Sequence, residues 1–243
     1  MKAFLLAAGN GTRLRPLTNT IPKCLVPIRG VPMLGIWLNW CRNYGIDEVL
    51  VNVHAHPDAV RSYLADTENS GVRVTVSHEP ELLGSAGTLR RNREFVKDEA
   101  EFAVLYADVL TNADFTQMAG FHRRLRSPAT IGVYHVPEPR QCGIIATDEN
   151  GVVTEFVEKP VRPKSDLAFS GLMIADTSVL EEVPDKLPAD IGFDLLPRLV
   201  ARMFAFTITD YLVDIGTMEK YERAQSEWPG LRGAKEYPAC LRA

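Results

Sequence analysis

Met1-Lys-Ala-Phe-Leu-Leu-Ala-Ala8, followed by Gly9-Asn-Gly-Thr-Arg-Leu-Arg-Pro16, is the stretch on which the reading of this chain turns. An apolar run of strand length stops at Ala8, Gly9 and Gly11 turn the chain around Asn10, and Arg13 and Arg15 arrive before another apolar run begins. Lys23 follows Pro22 on the same excursion. Glycines let backbone N–H groups approach an anion with no Cβ in the way, and arginine and lysine supply the opposing charge. A buried strand that empties into such a loop points to a nucleotide phosphate.

Outward from that loop the apolar spacing alternates between two periods. Pro32 to Tyr44 has helical spacing at Met33, Ile36, Trp37, Trp40 and Cys41 and stops at Gly45. Glu48 to Val53 reads as a strand, Asp58 to Leu64 as a helix, Val72 to Val76 as a strand, Ser85 to Val96 as a helix and Phe102 to Ala107 as a strand. Continuous apolar strands separated by helices imply a parallel sheet covered on both faces, with ligands beyond the C-terminal strand ends. Gly9 and Asp108 follow two such ends. After Ser127 the texture turns β-rich, at Ala129 to His135, Gly143 to Ala146 and Val152 to Glu158, with a tight turn at Asp148-Glu149-Asn150-Gly151. Alternation then resumes with a strand from Ala168 to Ile174, a short helix near Thr177 to Glu182, a helix near Phe193 to Val200 and a last helix from Thr217 to Glu227.

The expected fold class is therefore α/β: a Rossmann-like, mostly parallel sheet flanked by helices, with an inserted β-rich layer. We expect a single domain over residues 1–228, with a nucleotide-binding half (1–127), a second half (128–228) and a tail (229–243). With hydrophobic residues at 46% of 243, one substantial core is available. A net charge of -4 argues against a nucleic-acid-coating protein. No signal-like or membrane-length apolar run is visible, so no membrane partner and a cytoplasmic location are expected. Cys24, Cys41, Cys142 and Cys240 are too scattered for a metal or redox pair and are taken as reduced thiols. His54 and His56, with His78, lack a third convincingly spaced ligand for zinc. The basic run His122 to Arg126 suits a helix C-terminus better than a nucleic-acid site.

Gly9-Asn10-Gly11-Thr12-Arg13-Leu14-Arg15-Pro16-Leu17-Thr18, Pro22-Lys23 and Pro27 resemble the fingerprint of sugar-1-phosphate nucleotidyltransferases. The resemblance continues in order through Leu83-Gly84-Ser85-Ala86-Gly87-Thr88, Tyr106-Ala107-Asp108, Phe156-Val157-Glu158-Lys159-Pro160, Ser170-Gly171 and Asp214-Ile215-Gly216-Thr217, so it runs from residue 1 to about 227. Within that family the chain is most similar to short mannose-1-phosphate and heptose-1-phosphate guanylyltransferases. Longer members carry a C-terminal β-helix, and its activity is expected to be absent.

The reaction implied by the resemblance is attack of a sugar-phosphate oxygen on the α-phosphorus of a nucleoside triphosphate, with loss of pyrophosphate. A phosphate monoester, with a second pKa of about 6, is already mostly ionised near neutrality, so no strong base is needed. Charge neutralisation and in-line positioning are. The resemblance implies Arg13, Lys23 and Asp108 as catalytic residues and Leu6, Ala7, Ala8, Gly9, Asn10, Gly11, Thr12, Arg13, Glu79, Gly84 and Ser85 as nucleotide-binding. Gly143, Glu158, Lys159, Ser170 and Gly171 fall to the sugar phosphate, and Asp108 and Asp214 to Mg²⁺. Arg13 and Arg15 could otherwise be a solvated basic loop, and Glu79 or Glu81 an exposed turn acid beside Pro80. As an acceptor-only carboxylate, Glu79 suits the adjacent donors of guanine, which favours GTP; UTP, dTTP or CTP is the alternative. A non-catalytic nucleotide-sugar sensor is the alternative of another class. Partners are the triphosphate and the sugar 1-phosphate, with no nucleic acid, and a homo-oligomer is left open.

Overall fold

The structure, a computed structural model, describes residues 1–66 and 71–233. Most of the expected tail, with Cys240, lies outside the described residues. The elements run β1 (Lys2–Leu6), β2 (Pro27–Ile28), β3 (Val31–Pro32), α1 (Met33–Asn43), β4 (Glu48–Val53), α2 (Pro57–Asp66), β5 (Arg73–His78), α3 (Ser85–Arg91), β6 (Glu101–Tyr106), β7 (Val109–Thr111) and α4 (Phe115–Leu125). They continue with β8 (Ala129–His135), β9 (Gly143–Thr147), β10 (Val153–Glu158), β11 (Leu167–Asp176), α5 (Leu196–Leu199), β12 (Met203–Thr207), β13 (Leu212–Asp214) and α6 (Met218–Glu227). The architecture is mixed α/β, a mostly parallel sheet flanked by helices.

Two compact units interleave along the chain. One comprises Met1–Leu82, Leu105–Asp114 and the chain from Asp210; the other comprises Leu83–Val104 and Phe115–Thr209. In the first unit β1 pairs parallel with β4, and β4 with β5. The Val-Leu-Val core of β4 is buried, as runs with both faces covered require. Helix α1 is apolar nearly all round and is buried from Met33 to Cys41, so it is a core helix and not a surface one. A second cluster packs Leu14, Ile28, Val31, Met33, Leu110, Val213 and Ile215 together. Leu14 belongs to the loop after β1 and is completely buried, whereas Arg13 and Arg15 on either side are exposed. A tight 3₁₀ turn at Thr12–Leu14 makes that division, pinning the loop to the core by one side chain.

The second unit is largely antiparallel. Strand β11 pairs antiparallel with β8 and β9, β9 pairs antiparallel with β10, and β12 runs parallel to its neighbour β8. The turn between β9 and β10 closes through the Asp148 carboxylate, which accepts the Asn150 and Val152 N–H groups at 2.9 Å each.

Several expectations are corrected. The first strand ends at Leu6, two residues short of Ala8. The helix expected from Ser85 to Val96 breaks at Asn92, whose side-chain amide donates to the Thr88 carbonyl at 2.9 Å, and a separate 3₁₀ turn covers Arg93–Val96. The helix expected near Phe193 to Val200 is a π-helical turn, Ile191–Leu195, running into the short α5. The segment Thr177–Glu182 is 3₁₀. Strands β2, β3, β7, β12 and β13 were not anticipated.

Candidate active site

In the first unit the loop after β1 is shaped by Gly11, whose φ of 63° lies in the left-handed region. A Cβ there would also stand 2.9 Å from Thr18 Cγ2 and 3.2 Å from Lys23 Cβ, so glycine is what lets the stem of Lys23 cross the loop. The Thr18 hydroxyl donates to the Gly11 carbonyl at 2.7 Å and ties the crossing. Lys23 Nζ then reaches Asp108 Oδ2 at 2.6 Å. Around Gly9 there is open space, and Gly9, Asn10 and Thr12 are exposed, so the loop amides are accessible to a ligand.

Asp108 follows β6 and opens β7, and its carbonyl accepts the Ile215 N–H at 2.8 Å. Since β7 and β13 pair with Val109 opposite Asp214, that bond continues their ladder and holds the two aspartates on neighbouring stretches of backbone. A Cβ on Gly216 would lie 2.8 Å from Asp214 Oδ2 and 3.1 Å from Arg13 Nη2, so Arg13 and Asp214 converge where Gly216 leaves room. Lys220, which the sequence reading passed over, brings Nζ to 3.4 Å from Asp214 Oδ2. Arg13, Lys23, Asp108 and Asp214 thus form one cluster of alternating charge.

Glu79 is buried at 2% exposure, so the solvated-turn alternative does not hold for it. Its Oε1 accepts the Asn52 side-chain N–H at 2.9 Å, and Asn52 Oδ1 accepts the Ala7 N–H at 2.7 Å. His54 Nδ1 lies 2.7 Å from the Glu79 carbonyl oxygen. A relay from Glu79 through Asn52 therefore anchors Ala7, where the loop after β1 begins. Asn52 was missed, though a polar residue inside the apolar run Val49–Val53 is a signal of such duty.

In the second unit Gly84 has φ 77°, and a Cβ on it would meet the Ala189 carbonyl oxygen at 2.2 Å. That carbonyl accepts the Ala86 and Gly87 N–H groups at 3.0 Å each. The Ser85 hydroxyl donates to Asp190 Oδ2 at 2.8 Å and accepts the Ile191 N–H at 2.7 Å. Asp190 Oδ1 takes the Gly192 and Phe193 N–H groups at 2.8 and 3.2 Å, which explains the wide π turn. Gly192 in that turn and Gly143, opposite Glu158 in the β9–β10 ladder, confine one carboxylate oxygen. A Cβ on either would stand 2.5 or 2.6 Å from Glu158 Oε2. Burial raises the Glu158 carboxyl above its ordinary range and Asp190 adds to this, while Lys159 pulls the other way.

Lys159, at a φ of 50°, holds Nζ 3.8 Å from Glu158 Oε1 and 5.8 Å from the centre of the exposed Phe193 ring. Gly143, Glu158 and Lys159 are therefore together, with Asp190, Gly192 and Phe193 as additions from the structure. Ser170 is buried, its hydroxyl accepting the Leu172 N–H at 3.2 Å, and Gly171 serves a bulge in β11 with φ 83°.

Among the described residues no group of three or more His, Cys, Asp or Glu is arranged to hold a metal. Two aspartates do fit Mg²⁺, which takes one or two protein carboxylates and fills its shell with water and substrate oxygens. Asp108 and Asp214 keep 36% and 32% of their side chains exposed.

A sequence profile described as Nucleotidyl transferase matches residues 2–229. The chain belongs to the nucleotidyl transferase family. Among its relatives are a UTP–glucose-1-phosphate uridylyltransferase of Synechocystis sp., 34% identical over 96% of this chain and 63% of that protein, and a probable mannose-1-phosphate guanylyltransferase of Oryza sativa, 34% identical over 91% and 63%. The chain spans about 63% of the length of these curated relatives. A nucleotidyl transferase fold also emerges from solved structures. A putative glucose-1-phosphate thymidylyltransferase from Bacillus anthracis superposes with TM-score 0.87 at 23% identity over 98% of both chains. HddC from Yersinia pseudotuberculosis, in complex with GMP-PN, superposes with TM-score 0.79 at 25% identity, over 93% of this chain and 99% of that one.

Proposed function

We propose that this chain is a sugar-1-phosphate nucleotidyltransferase that condenses a nucleoside triphosphate with a sugar 1-phosphate, giving a nucleotide sugar and pyrophosphate. The observation that carries the reading is the cluster of Arg13 and Lys23 with Asp108 and Asp214 beside the open glycine loop. A sugar-phosphate oxygen attacks the α-phosphorus, its bond to phosphorus forms, and the bond to the bridging oxygen breaks, so that the electron pair leaves with pyrophosphate. Arg13 and the amides of Gly9 to Thr12 hold the departing oxygens, and Lys23 neutralises the reacting phosphate. Asp108 and Asp214 would hold Mg²⁺, which supplies further charge neutralisation when bound. In the second unit Glu158 accepts sugar hydroxyls, and Lys159 pairs with the sugar's phosphate.

GTP is the favoured triphosphate, as the names of the mannose-1-phosphate guanylyltransferase relatives suggest, and mannose 1-phosphate or a related hexose or heptose phosphate is the favoured acceptor. The deciding experiment is pyrophosphate release from a panel of GTP, UTP, dTTP and CTP against several sugar 1-phosphates with Mg²⁺. Preference for UTP, dTTP or CTP would reassign the base, and tight binding of a nucleotide sugar with no turnover on any pair would identify a sensor instead.

A further inference from the structure

Helix α6 begins with a residue in an electrostatically unfavourable place. Thr217 caps the helix, its hydroxyl accepting the Lys220 N–H at 3.4 Å, and Glu219 lies in the first turn where the positive helix end favours an acid. Three residues after a threonine cap, a capping box places Glu or Gln, which reaches back to the N–H of the cap residue. This chain places Lys220 there. An ammonium at that end is repelled by the unpaired N–H groups, so the demands of the helix do not account for it.

What does account for it is Asp214. Lys220 Nζ lies 3.4 Å from Asp214 Oδ2, and 44% of the lysine side chain stays exposed. The pairing of Lys23 with Asp108 is shorter, at 2.6 Å, and its lysine is only 11% exposed. Of the two ammonium groups facing the candidate metal carboxylates, Lys220 is therefore the one with a loose contact and room to leave.

Resting on the reading of Asp108 and Asp214 as the Mg²⁺ ligands, we propose that Lys220 is a counter-cation for Asp214 that makes metal binding depend on the triphosphate. It holds the carboxylate when no divalent ion is bound and is displaced when one binds. For a free ion that displacement lowers affinity, because the ion must break the pair and settle beside a positive charge. For an ion that arrives with a triphosphate the penalty shrinks, because the released ammonium gains phosphate oxygens as partners. Lys220 is in this sense a positioning residue.

The test is titration of nucleotide-free protein with Mn²⁺, reading the free ion by electron paramagnetic resonance, for the wild type, Lys220→Gln, Lys220→Arg and Asp214→Asn, with thermal melting as a check on folding. Lys220→Gln is expected to bind Mn²⁺ about two- to fivefold more tightly, the size expected from removing one partly exposed ion pair. Lys220→Arg should match the wild type, and a non-hydrolysable triphosphate should narrow the difference. Unchanged affinity in Lys220→Gln, or tightening in Lys220→Arg as well, overturns the proposal. If Asp214→Asn loses Mn²⁺ while Lys220→Gln gains nothing, only the role of Lys220 falls; if Asp214→Asn binds like the wild type, the metal assignment itself falls.

Discussion

Lys23 Nζ and Asp108 Oδ2 meet at 2.6 Å across 85 residues of chain, joining the loop after β1 to the turn after β6. The contact is only partly screened, and the aspartate keeps a third of its side chain in solvent.

Asp108→Asn should therefore fold normally, since the amide oxygen still accepts from Lys23, with a stability loss under about 1 kcal/mol. Mg²⁺-dependent turnover should fall by about a hundredfold or more, as when a single charge-stabilising group is removed. Steady-state pyrophosphate release together with a melting curve checks both halves, and undiminished turnover would remove Asp108 from the mechanism.

Leu14→Ala should couple stability to phosphate binding. Removing a fully buried leucine typically costs about 2–5 kcal/mol, and here the side chain is also what seats the loop carrying Arg13. Urea denaturation should show that loss, and the KM for the triphosphate should rise in conditions where the variant is still folded. A destabilised variant with an unaltered KM would separate the loop from the core.

Two glycines should behave oppositely. Gly84→Ala forces a Cβ against the Ala189 carbonyl oxygen at a φ of 77°, a clash with rigid backbone expected to cost about 2–4 kcal/mol. Gly9→Ala meets nothing within 4 Å, so its stability should stay within about 0.5 kcal/mol of the wild type while triphosphate binding weakens. Equal destabilisation of the two variants would contradict the steric account.

Glu158 should leave a pH signature on stability. Its native carboxyl titrates above the ordinary value of 4.5, so the native state holds the proton more tightly than the unfolded chain does. That stabilising contribution is complete below about pH 4.5 and is lost as pH rises through the elevated native value. Glu158→Gln, which carries no ionisation, should therefore gain in Tm relative to the wild type near about pH 8 and show less gain near about pH 4. A Tm difference independent of pH would refute the burial argument; in either case the variant should bind sugar 1-phosphate more weakly.

The first unit was easy to read because β4 and α1 announce themselves by apolar runs that local packing simply obeys. Strands β7 and β13 have three residues each, too few to display a period, and they form because each supplies the other's hydrogen bonds. The π turn at Ile191–Leu195 was hidden for another reason: it depends on the Asp190 carboxylate capturing two N–H groups, which apolar spacing does not encode. At the candidate site, motif order pointed to Arg13, Lys23, Asp108 and Asp214. Asn52, Asp190, Gly192 and Lys220 escaped because they act on other protein groups. Lys220 had left a trace, an unsuitable charge three residues after a helix cap.

The interleaving of the two units bears on synthesis. Arg13, Lys23 and Asp108 leave the ribosome well before Asp214 and Lys220, and the Phe115–Thr209 part of the second unit is translated in the interval. A nascent chain halted before β13 carries the cations and one acid but lacks the partner strand of β7. Premature termination there should yield a product in which β7 has no partner strand and Asp108 has lost the backbone neighbour that carries Asp214.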